Sequence, residues 1–164
     1  MKGQDPLPTY RDCLFCGPEH AFGLKLKLRR AGGAVVTEFA VARSFQGYEE
    51  TVHGGIVSGI LDEVMWWAVT IEVRQIVMTR KIEVEFLSPL RCEAPHRAEG
   101  RLGEARHHAF RASGEIEDAS GRVIARGRGL FMPAKTMSGA GLARGLDLTR
   151  LSPEMAGIFS ALLG

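Results

Sequence analysis

Hydrophobic and polar positions follow two different rules along this chain. In most of it they alternate, and over Thr51–Trp67 they do not. The segment GLKLKLRR, from Gly23, sets Leu24, Leu26 and Leu28 against basic residues with period 2, which predicts a strand with one buried face. Gly32 and Gly33 then turn the chain into a second strand, AVVTEFAVA. Residues 43–52, RSFQGYEETV, read as a loop. Further on, QIVMTRKIEVEFLSPL places Ile76, Met78, Ile82, Val84 and Phe86 on one face and Thr79, Lys81, Glu83 and Glu85 on the other. Two more extended regions, 96–118 and 121–132, are joined at the turn DASG, Asp118–Gly121.

The stretch TVHGGIVSGILDEVMWW breaks this pattern. Apolar side chains fill nearly every face from Ile56 to Ala68, which predicts a helix from about Gly55 to Glu72. A helix that is apolar all round is buried all round, so in a domain this small a sheet must curl about it. The order of elements is two strands, one buried helix, then three or four strands, an α+β arrangement without internal repeats. Residues 1–22 form an irregular lead-in, broken by Pro6, Pro8, Gly17 and Pro18. Residues 23–133 form the folded domain. Residues 134–164 form a glycine-rich tail, expected to be mobile. The tail ends in a short amphipathic helix over Ser152–Leu163, with Ser152 as its cap and Pro153 at its first position.

Composition narrows the function by exclusion. A length of 164 residues suits one domain, and a net charge of +2 leaves no electrostatic footprint for nucleic acid or an anionic membrane. The longest apolar run is shorter than a bilayer span and holds two acids, so no membrane partner is expected. The lead-in lacks the apolar core of a signal peptide, and three cysteines, an odd number, fit a reducing cytoplasm. Cys13 and Cys16 make a single CxxC with His20 nearby. No second pair completes a zinc set, because His107 and His108 fall on opposite faces of one strand. The expectation is a packed, reduced pair, with no metal and no cofactor. Arg80, Lys81, Arg91, Arg106 and Arg111 are read either as partners for phosphates or as solvated strand faces.

Candidate chemistry lies in the helix. Glycines before its first turn let the backbone approach a ligand, and the free N–H groups there can hold an oxygen that becomes negative. His53 either shapes that turn or bonds a neighbouring acceptor. Asp62 and Glu63 sit inside the apolar run, where a carboxylate costs several kcal/mol unless it is paired or reaches water. For Asp62 the structural explanations are a clamp on a neighbouring loop or an ion pair with Arg74 or Arg80. The functional one is a general base or nucleophile. Glu63 lies about 100° round the helix and is expected to be structural or at a subunit contact. Asp62 is seven residues past Gly55, about 10 Å along the axis, too far to act on a carbonyl held at its own HGG turn. Two helices running antiparallel across a two-fold would close that gap, so a homodimer is expected. Met65, Trp66, Trp67 and Phe45 suggest an apolar or aromatic pocket.

HGGIVSGILDE, with FQGY before it, TRKIEVEFLSP after it and the early CLFCGPEHAFGLKL, resembles hotdog-fold acyl-CoA thioesterases of the PaaI-like group over roughly residues 13–132. The histidine and glycines followed nine positions after His53 by Asp62 are the specific element. The resemblance implies a hotdog fold, a curved antiparallel sheet wrapped around one long central helix, and a homodimer with its active sites at the subunit interface. A dimer of dimers stays open. It implies an acyl-CoA thioesterase that releases a free acid and CoA, with Asp62 as base or nucleophile and Gly55, with Gly54, polarising the carbonyl. It also implies that His53 supports the turn and that Thr79 holds the attacking water. Parity sets Thr79 on the polar face, so it reaches the site only through that face or a local bulge. The family often has an Asn six residues before the histidine. Here that position is Gly47, which leaves Gln46 as its substitute, and Gln46, Tyr48, Met65 and Trp66 are the expected substrate contacts. Two alternatives remain: a non-catalytic acyl-CoA-binding protein, and a hotdog hydratase or dehydratase acting on acyl thioesters.

Overall fold

The computed structural model describes residues 4–135 and 139–163. In chain order the elements are β1 (Gln4–Pro6), β2 (Thr9–Tyr10), β3 (Arg29–Ala31), β4 (Ala34–Phe39), β5 (Gln46–Tyr48), β6 (Thr51–Val52) and α1 (Gly54–Val73). There follow β7 (Val77–Phe86), β8 (His96–Arg106), β9 (Ala109–Asp118), β10 (Val123–Pro133), α2 (Gly139–Ala143), β11 (Leu146–Asp147) and α3 (Pro153–Leu163). The main sheet is antiparallel with the order β1-β3-β4-β8-β9-β10-β7, and α1 packs across β8, β9, β10, β7 and β4. This is the α+β arrangement expected, and α1 lies within a residue of its expected bounds.

The helix is buried as its composition requires. Ile60, Leu61, Val64, Met65 and Val69 are fully enclosed. Its close approach to the sheet depends on a row of glycines. Gly100, Gly114 and Gly127 stand opposite one another in β8, β9 and β10. A Cβ on Gly100 would lie 2.4 Å from the Val64 carbonyl oxygen, and Cβ atoms on Gly114 and Gly127 would press on Leu61 and Met65. The row forms a trough in which the helix rests.

Several expectations change. The Leu24–Leu28 segment joins no ladder. Leu26 and Leu28 are buried, but its bonds run to the lead-in, with the Leu24 and Leu26 N–H groups donating to Leu14 and Phe15 carbonyls. Residues 43–52 contain a 3-10 turn, Arg43–Phe45, and the ribbon of β5 with β6. Residues 96–118 form a hairpin rather than one extended region, and His107, with φ 50°, sits in its turn with His108. The two histidines are therefore not on opposite faces of a strand. The DASG turn is present, closed by the Gly121 N–H on the Asp118 carbonyl and stiffened by the Asp118 side chain.

The tail is packed where it is described. Met155, Ile158, Phe159 and Leu162 of α3 recur at helical spacing on one buried stripe, and the Phe159 ring lies 5.9 Å from that of Trp67. The Met155 N–H donates to Ser152 Oγ, which makes the expected cap. The lead-in meets the tail where β2 pairs with β11.

Candidate active site

Thr79 reaches Asp62 because β7 is bulged. Leu130 stands opposite Lys81 and Phe131 opposite Thr79, so Arg80 is the extra residue. The extra residue inverts parity, bringing Thr79 to the face of Ile82 and Val84 and leaving Met78 exposed. The Thr79 hydroxyl donates to Asp62 Oδ1 at 2.8 Å. Burial pushes the Asp62 carboxyl above its ordinary range, and the Thr79 hydrogen bond opposes this. Among the described residues no cation pairs with Asp62, so the ion pair with Arg74 or Arg80 does not form.

Asp62 and Thr79 line a cavity of about 380 Å³, walled mainly by Trp66, Trp67, Val77, Met78, Leu142 and Leu146. Tyr10 of the lead-in, which pairs with Leu146 of the tail's β11, also lines it. Trp66 is fixed by its indole N–H, which donates to the Val77 carbonyl at 2.7 Å. Met65 does not reach this space. It is fully buried and faces the glycine trough.

The helix mouth borders a second cavity of about 370 Å³, lined by Tyr48, Gly54, Val57, Phe86 and Leu90 among others. His53 is the N-cap of α1, and its Nδ1 accepts from the Gly55 N–H at 2.9 Å. The Ile56 and Val57 N–H groups donate to the His53 carbonyl. Among the described residues nothing accepts from the Gly54 N–H. Gly54 is thus the free donor at this mouth, and Gly55 is engaged by His53. Gly47 packs on His53, where an added Cβ would lie 3.2 Å from its Cα. Gln46 is exposed and lines neither cavity. Depressions on the outer sheet face, around Glu83, Arg126 and Arg128, hold none of the expected site residues.

The comparisons with known proteins agree with this fold. A sequence profile of the Thioesterase superfamily matches residues 49–125, from β6 through the start of β10. A solved thioesterase superfamily protein is 25% identical, with a TM-score of 0.69 over 74% of this chain, which spans 60% of that one. The Escherichia coli PaaI protein from the phenylacetic acid degradation operon is 16% identical, with a TM-score of 0.62 over 67% of this chain and 80% of its own. A putative thioesterase from Ralstonia eutropha, described as related to phenylacetic acid degradation, is 22% identical with the same TM-score over 70% and 89%. The chain has the hotdog fold of the thioesterase superfamily. The expected resemblance is borne out: the profile match is to the Thioesterase superfamily, and the PaaI protein shares the fold. No curated protein matches the chain by sequence.

Within the hotdog frame, α1 also carries Glu63, which the sequence leads one to expect in a structural role or at a subunit contact. It turns to the lead-in, where its carboxylate oxygen and the sulfurs of Cys13 and Cys16 lie within 4.8 Å of one another. The Trp67 indole N–H donates to Glu63 Oε1 at 3.1 Å. Burial, then the charge of Cys13, pushes Glu63 up to about 7. Cys13 is lowered to about 6 by the Cys16 thiol and by backbone N–H groups, while the Cys16 thiol is raised by donating to Cys13 and by burial. All three cysteines are free. No periodicity signals this cluster. The one available clue is the CLFCG motif, which names two of its three members.

Proposed function

We propose that the protein is an acyl-CoA thioesterase whose two active sites are each shared by two subunits of a homodimer. The observation that carries the reading is the Thr79–Asp62 hydrogen bond inside an apolar cavity. It explains why a carboxylate is kept in this helix, and it pairs that carboxylate with a hydroxyl able to hold water. Water, bonded to the Thr79 oxygen, loses a proton to Asp62 as it attacks the thioester carbonyl carbon. The resulting oxyanion is held by the free backbone N–H of Gly54 at the helix mouth, while His53 Nδ1 holds the Gly55 N–H and braces the turn. The carbon–sulfur bond then breaks, the proton passes from Asp62 to the departing thiolate, and a carboxylic acid and free CoA leave. The cavity beside Trp66 suits an apolar or aromatic acyl chain, and Tyr48 at the second cavity suits the other part of the ester.

The test is Asp62→Asn, assayed by thiol release over a panel of acyl-CoAs beside ultraviolet detection of enoyl-thioester hydration. Hydrolysis should fall by about 10²–10⁴ with fold and dimer retained. Turnover at the wild-type rate would remove Asp62 from the mechanism. Hydration without thiol release in the wild type would make the protein a hydratase, and binding without either reaction would make it a carrier or sensor.

A further inference from the structure

We propose that Cys13, Cys16 and Glu63 form a binding site for a thiophilic divalent cation, zinc by chemical class, with a fourth position open to the cavity beside Asp62. The sequence offers two thiols without a third ligand, and the fold supplies it from α1. The three ligand atoms lie within 4.8 Å of one another. That spacing lets one ion at ordinary zinc–sulfur and zinc–oxygen distances, about 2.3 and 2.0–2.2 Å, gather them with small side-chain movements.

The loop is built to hold a thiolate pair. In CLFCG the Phe15 and Cys16 N–H groups point at Cys13 Sγ, at 3.3 and 3.5 Å, and the Gly17 N–H closes the turn on the Cys13 carbonyl. Gly17 is required there, because a Cβ would lie 2.5 Å from both the Cys13 nitrogen and its oxygen. N–H groups directed at a cysteine sulfur stabilise negative charge on it, which is the state a metal binds. Glu63 is oriented in turn. The Trp67 indole holds Oε1 and leaves the other oxygen for the ion.

Charge argues the same way. Two sulfurs and a carboxylate, one buried and two half-buried, are like-charged neighbours when ionised, and a divalent cation neutralises two of the three charges while the thiol protons leave to solvent. Three protein ligands leave one tetrahedral position free. Cys13, Cys16 and Glu63 all line the 380 Å³ cavity with Asp62, so that position is reached from the cavity by water or by a soft ligand such as a thiolate. The site does not depend on the thioesterase reading, since it is tested by metal binding.

The experiment uses the full chain, purified without chelator for elemental analysis, then stripped and titrated with Co²⁺. About one zinc per chain is expected, and Co²⁺ should give thiolate-to-metal charge transfer with the intense d–d bands of a tetrahedral site. Cys13→Ser and Cys16→Ser should each diminish the charge-transfer band, Glu63→Gln should weaken affinity by at least about 10-fold, and Cys92→Ser should change neither. Circular dichroism identifies any variant that has lost its fold, and the wild-type titration decides the question without it. Absence of a thiolate band in folded wild type would overturn the proposal. So would metal binding indifferent to the three substitutions, or conversion of the pair to a disulfide by mild oxidant at saturating Zn²⁺.

Discussion

The roles proposed for Asp62 and Gly54 fall at the middle and the mouth of one helix, and each residue can be changed alone. Gly54 is the first helical residue, a position where proline is tolerated because its N–H has no helical partner. The preceding His53 has φ −59° and ψ 134°, the extended conformation that a following proline requires. An added Cβ meets the Phe86 ring at 3.4 Å, an ordinary contact. Gly54→Pro therefore deletes one N–H and little else. Stability by chemical denaturation should stay within about 1 kcal/mol of wild type, while kcat for thioester hydrolysis falls by about 10²–10³. An unchanged kcat would move the oxyanion to Gly55, which would then have to exchange its bond to His53 Nδ1 for one to substrate. The sequence points to Asp62 and the glycines through residue type and spacing, and to Thr79 only through the family resemblance. It does not reveal that Gly55 is engaged and Gly54 free, which depends on a side-chain rotamer of His53.

The elements explain where sequence reading succeeds and where it stops. α1 is legible because an all-apolar run of that length has one physical solution, and the DASG turn because Asp118 and Gly121 are types that make turns. The bulge at Arg80 is hidden, since Met78 and Ile82 keep apparent alternation running through the extra residue. The hairpin at His107 is hidden too, because no glycine or asparagine marks it, and φ 50° falls on a histidine. Leu24–Leu28 alternates for a real reason, burial of Leu26 and Leu28, yet against irregular backbone. The glycine trough is invisible until register places Gly100, Gly114 and Gly127 side by side. Its members are unequal. Gly100 faces backbone, the Val64 carbonyl, which cannot move without shifting the helix, whereas Gly114 and Gly127 face the adjustable side chains of Leu61 and Met65. Gly100→Ala should destabilise by about 1–3 kcal/mol, the range for overpacking a full core, and Gly127→Ala by less. Urea denaturation measures both, and equal losses would mean that the trough does not set the helix position.

At the scale of the molecule the question is how two distant halves of a site meet. One edge of the main sheet is β1, three residues long; the other is β7, ten residues, with exposed Met78 and Phe86 and an outer ladder unpaired among the described residues. A long unpaired edge is a template for a second chain. α1 runs antiparallel to β7, so Asp62 stands at the Thr79 end of the strand and Gly54 at the Phe86 end. Antiparallel pairing of two β7 edges about a two-fold near Ile82 and Glu83 would set each Thr79 end against the other copy's Phe86 end. Each Asp62 would then approach the other chain's Gly54. That arrangement makes a sharp prediction from two inactive proteins. Asp62→Asn and Gly54→Pro, unfolded together and refolded as an equal mixture, should yield half heterodimers. Each heterodimer would have one doubly impaired site and one intact site, so activity should return to about a quarter of wild type. Sites contained within single chains would each keep one defect, and the mixture would stay as inactive as its parents. Size-exclusion chromatography of the same mixture confirms that dimers have formed, so a silent mixture of dimers would refute the shared site and not merely the refolding.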